Sequence, residues 1–320
     1  MRLPIALIID DAAPVNLMYW HEPQHAHARL VPNAFTRGFA DLCAAYGVRG
    51  KFSVVPMPGG LGRIDQSLAR VAARHLAGFL EIVRARIAPA FDITPEILTH
   101  WCAVNLERGS YRHVYEDEWV RRAHLPDLTD YIARSLEILR RAGLPANGLT
   151  SPWMTGIDNE PVYAQAIGEA FWRVHRRKFA WYFLHCLGRQ PARWPWVTHR
   201  NAQAGRVVVT VPANTDDAFW SSQYPTSLRQ ARAAARRGVD TLLTASGKAG
   251  RLRELLDAGL PLTLLTHWQS LFGNGTMAGL WGLGLLLERI RDRLGDQVQW
   301  VRCSQLAARA VQPTGTGSSS

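Results

Sequence analysis

Ile5-Ala6-Leu7-Ile8-Ile9 runs without a polar break into Asp10-Asp11. An apolar stretch of Ile and Leu with no alternation reads as a strand buried on both faces, the signature of a parallel sheet covered by helices. Two carboxylates at its carboxyl end cannot share that burial. They belong at the mouth where parallel α/β folds bind ligands. An Asp pair before Ala12-Ala13-Pro14 is also an ordinary turn signal, so its meaning depends on what else arrives at the strand ends. Successive side chains of a strand point to opposite faces. Asp10 and Asp11 can therefore serve one site only if the chain turns there, which Ala12-Ala13-Pro14 favours.

Working outward, residues 51–56, 96–99, 148–150, 180–184, 206–211, 262–266 and 298–301 read as further strands. Residues 33–46, 64–88, 127–142, 159–174, 226–237, 248–258 and 278–294 have the apolar period of helices, and a terminal helix runs to residue 311. Strand and helix alternate along the whole length with no linker-like change in composition. The pattern predicts one α/β domain over residues 1–311, a single (β/α) barrel, distorted or seven-stranded, with a doubly wound open sheet as the alternative. The Gly- and Ser-rich residues 312–320 read as a disordered tail.

The chain has 320 residues, 47% of them hydrophobic and 20% charged, which is ordinary for a folded globular protein. Its formal charge is +11, but the Arg residues are scattered over helix-like stretches with no dense basic block. Solvated helix faces explain that pattern better than nucleic-acid binding does, and an anionic substrate is the lesser reading. Cys43, Cys102, Cys186 and Cys303 are far apart and form no paired motif, which argues against a zinc ribbon or a disulfide scaffold. The first apolar run is only a strand long and meets Asp10 where a leader would carry a cleavage site. A cytoplasmic protein is expected. No apolar run approaches the length of a bilayer span, so no membrane partner is expected either.

One echo stands out: Leu98-Thr99-His100-Trp101 and Leu265-Thr266-His267-Trp268 share a tetrapeptide, each ending a predicted strand. A lone His after a strand is commonly structural. Two imidazoles and two carboxylates at one mouth point instead to chemistry. Asp and His are ligands for zinc or a similar divalent ion, a second carboxylate can take a proton from water, and a His opposite can protonate a leaving group. The irregular segment 12–32 adds His21, His25 and His27; His21, flanked by Tyr19, Trp20 and Glu22, is the better candidate for substrate contact. Of 12 Trp residues, Trp101, Trp153 and Trp268 follow strand ends, where broad aromatic faces would stack on a sugar ring. Asp216-Asp217 is a spare acidic pair that could meet substrate hydroxyls.

These pieces together resemble the polysaccharide deacetylase superfamily, metal-dependent carbohydrate esterases with a distorted barrel. The resemblance rests on Ile8-Ile9-Asp10-Asp11, Gly47 through Pro56, Glu96-Ile97-Leu98-Thr99-His100, Thr150-Ser151-Pro152-Trp153 and Leu264-Leu265-Thr266-His267, and extends to about residue 301. It implies Asp10 as general base, Asp11 and His100 as metal ligands, His267 as general acid and zinc as the ion. Two departures stand out. The third-strand motif of that superfamily supplies two His ligands within one turn, whereas His100 is followed by Trp101-Cys102-Ala103-Val104-Asn105; and Thr150 stands where an Arg would orient the base. The third ligand is left open among His267, the His21, His25 and His27 segment, and Asn105, which is also a candidate substrate contact. The expected activity is metal-dependent hydrolysis of an acylated carbohydrate. A divergent barrel glycosidase and a non-catalytic glycan-binding barrel are the alternatives.

Overall fold

The Ile5–Ile9 run lies inside a long first strand, β1 (Leu3–Ala12), in the computed structural model, which describes residues 2–21, 28–188, 190–225 and 227–312, the side chain of His21 excepted. It is followed by α1 (Leu17–His21), α2 (Asn33–Ala45), β2 (Gly50–Val54), a short hairpin of β3 (Gly62–Arg63) and β4 (Ser67–Leu68), α3 (Ala73–Ile82) and β5 (Phe91–Pro95). A second hairpin, β6 (Cys102–Asn105) and β7 (Ser110–Tyr115), leads to α4 (Glu116–Arg122), α5 (Leu125–Arg141), β8 (Leu149–Thr150) and α6 (Glu160–His175). Then come β9 (Phe179–Phe183), β10 (Trp196–Asn201), β11 (Arg206–Thr210), α7 (Leu228–Leu242) and α8 (Arg251–Asp257). The chain ends with β12 (Leu262–His267), α9 (Trp268–Phe272), α10 (Ala278–Leu294), β13 (Val298–Trp300) and α11 (Cys303–Arg309).

The first sheet has the order β12-β1-β2-β5, with β13 also paired to β1, and every pair in it is parallel. The second has the order β10-β11-β9-β8, parallel except for the β10–β11 pair. The burial of β1 explains why its sequence does not alternate. Ile5, Leu7 and Ile9 pack with helix residues such as Phe35 and Phe39. Ala6 and Ile8 face the other way and join Trp181, Phe183, Val209, Val211 and Leu265 of β9, the β11 end and β12, together with Cys303 and Leu306 of α11. That second cluster fills the space between the sheets, and Asp10 has the parity of Ala6 and Ile8, so it faces inward.

The ladders form two separate sheets rather than the closed barrel expected, because the links between them are short. On one side Glu96 bridges Thr150, with Ile97 N–H donating to Thr150 O at 3.1 Å. On the other, Asn214 N–H donates to Thr263 O at 3.0 Å and Leu265 N–H to Thr215 Oγ1 at 3.1 Å. Among the described residues no helix is long and apolar enough to cross a membrane.

Two of the expected elements are displaced, and α1, the β6–β7 hairpin, α4 and β10 lie where none is expected. The third strand is Phe91–Pro95 and not residues 96–99: Pro95 ends the ladder, and Glu96–His100 is irregular, with Ile97 and His100 at positive φ of 32° and 50°. The long helix expected over 64–88 begins only at Ala73; Ile64 and Leu68, whose i, i+4 spacing mimics a helix, are buried from the β3–β4 hairpin instead. His25, His27 and residues 313–320 lie outside the described residues.

Trp268, expected at the substrate, is 1% exposed. Its ring meets Phe35, Phe39 and Phe52 edge-on at 4.7, 5.3 and 5.2 Å, because the first residue of α9 turns back over the helix-side layer of the sheet. It is a core residue. Trp268→Ala is therefore expected to lower stability in urea unfolding by about 3–5 kcal/mol, the cost of a large cavity; a loss under about 1 kcal/mol would contradict this placement.

Candidate functional site

The site begins with one backbone irregularity. Asp11 has φ 64°, and the register of β1 against β2 shifts between Ile9 and Ala12. Asp and Asn tolerate this left-handed conformation better than most residues. Asp11 N–H leaves the ladder and donates to Glu96 Oε2 at 2.6 Å and Ser53 Oγ at 3.1 Å. The bulge cancels the strand alternation, so Asp10 and Asp11 line the same cavity of about 220 Å³. The turn required between them is thus made within β1, before Ala12-Ala13-Pro14. Glu96, His100, His267 and Gln269 line the cavity too, with Trp153 and Trp220.

Asp11, Glu96 and His100 form a buried group whose potential ligand atoms all lie within 4.8 Å of one another. His100 Nε2 is 2.9 Å from Asp11 Oδ1 and 3.7 Å from Glu96 Oε1. Gln269 Nε2 donates to Asp11 Oδ2 at 2.7 Å, and Ser53 Oγ donates to Glu96 Oε2 at 2.6 Å. Glu96 Oε1 is buried with no hydrogen-bond partner among the described residues. Burial, then the charges of Asp11 and Asp10, push the Glu96 carboxyl well above the usual range. Burial alone would raise Asp11 as well, but His100 and then His267 carry it well below. His100, which burial would depress, is lifted to about 9, chiefly by Asp11. An orphaned carboxylate oxygen beside groups whose pKa values are raised suits a divalent cation, which competes with protons for the same atoms. Two carboxylates and one imidazole make a donor set fit for zinc and for other first-row divalent ions. The group could hold such an ion.

Asp10 is held separately. Lys51, 0% exposed, forms an ion pair with Asp10 Oδ1, donates to Thr150 Oγ1 at 2.6 Å and lies 4.8 Å above the Phe183 ring. Thr150 Oγ1 is also 2.9 Å from Thr94 Oγ1. The cation beside Asp10 thus comes from near the start of β2. Burial raises the Asp10 carboxyl, and Lys51 offsets part of that rise.

Across the cavity, His267 Nδ1 is 2.8 Å from Asp217 Oδ2. Asp217 also accepts from Ser270 Oγ at 2.6 Å, from the amides of His267 and Phe219 at 3.0 and 2.8 Å, and from Thr266 Oγ1 at 3.2 Å. Burial would depress the His267 imidazole, but the Asp217 hydrogen bond, followed by the charges of Asp11, Asp217 and Asp10, raises it to about 10. It is protonated at neutral pH.

The remaining expectations separate. Trp153 is 46% exposed and meets His100 edge-on at 4.3 Å, at the cavity wall. Trp101 leaves the cavity and packs on Tyr111 at 5.5 Å. Asn105 accepts the amides of Glu107 and Arg108 at 3.0 and 3.1 Å, capping the β6–β7 turn, and neither it nor Trp101 lines the cavity. His21 ends α1, but its side chain lies outside the described residues. The Asp216-Asp217 pair is divided: Asp217 serves His267, while Asp216 Oδ1 accepts from Cys186 Sγ at 3.4 Å.

Four site residues were not singled out from sequence: Glu96, Lys51, Gln269 and Trp220. Glu96 had a readable signal, four residues before His100. Lys51 also had one, as a lone charge inside a strand buried along its length. Gln269 and Trp220 had none, although Trp220 is 37% exposed and stands edge-on to His267 at 5.0 Å, the counterpart of Trp153 at His100. Comparison with protein-family models and with curated proteins finds no match to the chain.

Lys51→Met would leave the buried Asp10 carboxylate without its cation. A loss of about 3–5 kcal/mol is expected in chemical unfolding, partly recovered by adding Asp10→Asn; an unchanged midpoint would show that the pair carries no net stabilisation. His267 has its own pH signature. Because its folded pKa of about 10 lies above the ordinary 6.5, its contribution to stability is complete below pH 6.5 and is lost as pH rises through about 10. Asp217→Asn is expected to flatten that alkaline decline when melting temperature is followed against pH, and a parallel decline in the variant would refute the pairing.

Proposed function

We propose that this chain is a metal-dependent hydrolase built on one distorted, seven-stranded barrel of β1, β2, β5, β8, β9, β11 and β12, similar to the polysaccharide deacetylases. The short links at Glu96–Thr150 and Asn214–Thr263 support the barrel, since one joins the β5 end to β8 and the other joins the chain after β11 to β12. The substrate class is an acylated carbohydrate, for which Trp153 and Trp220 offer aromatic faces at the mouth.

The reading rests on one observation: the Asp11, Glu96 and His100 group shares its cavity with a Lys-held carboxylate and an Asp-held imidazole. Within the motif that resembles the superfamily's third-strand ligand pair, the two ligands are Glu96 and His100. A divalent ion held there, with zinc the preferred candidate, would supply Lewis-acid polarisation of the scissile carbonyl. Asp10 accepts the proton of the attacking water, and Lys51 keeps the carboxylate charged and oriented for that step. His267, charged and fixed through Nδ1 by Asp217, leaves its other ring nitrogen to protonate the departing nitrogen or oxygen. Gln269 holds Asp11 from the side opposite His100.

Metal analysis of the zinc-loaded protein tests this. The wild type is expected to bind an ion and to release acetate from N-acetylated chito-oligosaccharides, while Asp11→Ala and Glu96→Ala lose the ion. Asp10→Asn should retain the ion and lose about a hundredfold or more in kcat. A wild type without bound metal, or metal content unchanged in both ligand variants, would overturn the mechanism. Chelator-resistant release of reducing sugar would select a glycosidase instead, and glycan binding without turnover a non-catalytic barrel.

A further inference from the structure

In the segment that presents Glu96 and His100, the amides of Glu96 and Ile97 are still held by Val54 O and Thr150 O at 3.2 and 3.1 Å, but those of residues 98–100 turn away from the sheet. After Pro95 the chain passes through Ile97 and His100 at positive φ, conformations that non-glycine residues keep only when their surroundings impose them. The Ile97 amide is held by Thr150 O, whereas at His100 the surroundings include a buried carboxylate from another element, Glu116 in the first turn of α4. Its Oε1 accepts the amides of Leu98 and Thr99 at 3.2 and 2.9 Å, and its Oε2 accepts the amide of His100 at 3.1 Å. Tyr131 of α5 donates its hydroxyl to Oε1 at 2.8 Å, fixing the carboxylate from behind. Three successive N–H groups converging on one anion form a nest, and the nest dictates the backbone that contributes them.

We propose that Glu116, with Tyr131, is a positioning residue for the bound ion: by gathering the amides of residues 98–100 it fixes the direction in which His100 leaves the loop. This rests on the reading of Asp11, Glu96 and His100 as a metal group. Glu116 does not line the cavity and touches no reacting atom. Its effect passes through the backbone, in the way outer partners tune the ligands of other metal sites. Gln is the informative replacement, because it keeps the size and one acceptor. Its NH2 group would then confront a backbone N–H that the carboxylate now satisfies.

Zinc affinity measured by competition with a chromophoric chelator, alongside melting temperature, separates positioning from bulk stability. Glu116→Gln is expected to weaken zinc binding about 10- to 100-fold, and Tyr131→Phe by about threefold or more. The control is Asp92→Asn, which removes another buried carboxylate that accepts from Asn147 and Ser304, away from the cavity. It should lower the melting temperature while leaving zinc affinity within about twofold of the wild type. Zinc affinity of Glu116→Gln and Tyr131→Phe within about twofold of wild type, or an equal loss in Asp92→Asn, would overturn the proposal. If Glu116→Gln does not fold, Tyr131→Phe decides alone by the same limits. A wild type that takes up no divalent ion defeats the metal reading itself, whereas a wild type that binds zinc beside a Glu116→Gln that binds equally well defeats only the positioning.

Discussion

The left-handed backbone at Asp11 is the constraint on which the cavity depends. Had β1 run straight, the Asp11 carboxylate would have had the parity of Leu7 and Ile9 and entered the apolar layer beneath the helices, where an unpaired charge is untenable. The bulge turns it inward at a cost of order 1–2 kcal/mol, and the freed amide is not left bare, because Glu96 and Ser53 both accept from it. The residue that distorts the strand and the residue that steadies the distortion are two members of one candidate ligand set.

Charge is distributed around that bend by pairing. Asp10 has Lys51, Asp11 has His100, and Asp217 has His267, each partner on a different element from its acid. Glu96 is the remainder. It receives hydrogen bonds through one oxygen only, and burial together with two neighbouring carboxylates pushes its carboxyl well above the usual range. A cation bound beside Glu96 would favour its charged form and give its second oxygen, which accepts no hydrogen bond among the described residues, a partner.

The sequence was most legible where local pattern and burial agree. The apolar run of β1 and the strand ends carrying His100 and His267 are visible because a parallel strand buried on both faces leaves its polar residues at its tip. The strand at Phe91–Pro95 was misplaced by a few residues, since Ile97 and Leu98 are buried as a strand would bury them although they lie in a loop. That displacement concealed Glu96, which read as a strand residue and not as a ligand. Lys51 was hidden for a different reason. Its role is set by Asp10, Thr150 and Phe183, contacts that sequence order does not bring together. Tryptophan is an uneven guide: the identical neighbours of His100 and His267 pack against Tyr111 and in the core, Trp153 after β8 reaches the cavity as a strand-end residue should, and Trp220 reaches it from a 3-10 helix that follows no strand directly.

Thr150 lies where two demands meet. Its backbone joins β8 to the Glu96 segment across a seam between the sheets, and its hydroxyl receives the Lys51 ammonium that neutralises Asp10. The seam is therefore also an electrostatic junction. One threonine thus ties the closure of the scaffold to the charge of Asp10, and a substitution there would be felt in both at once.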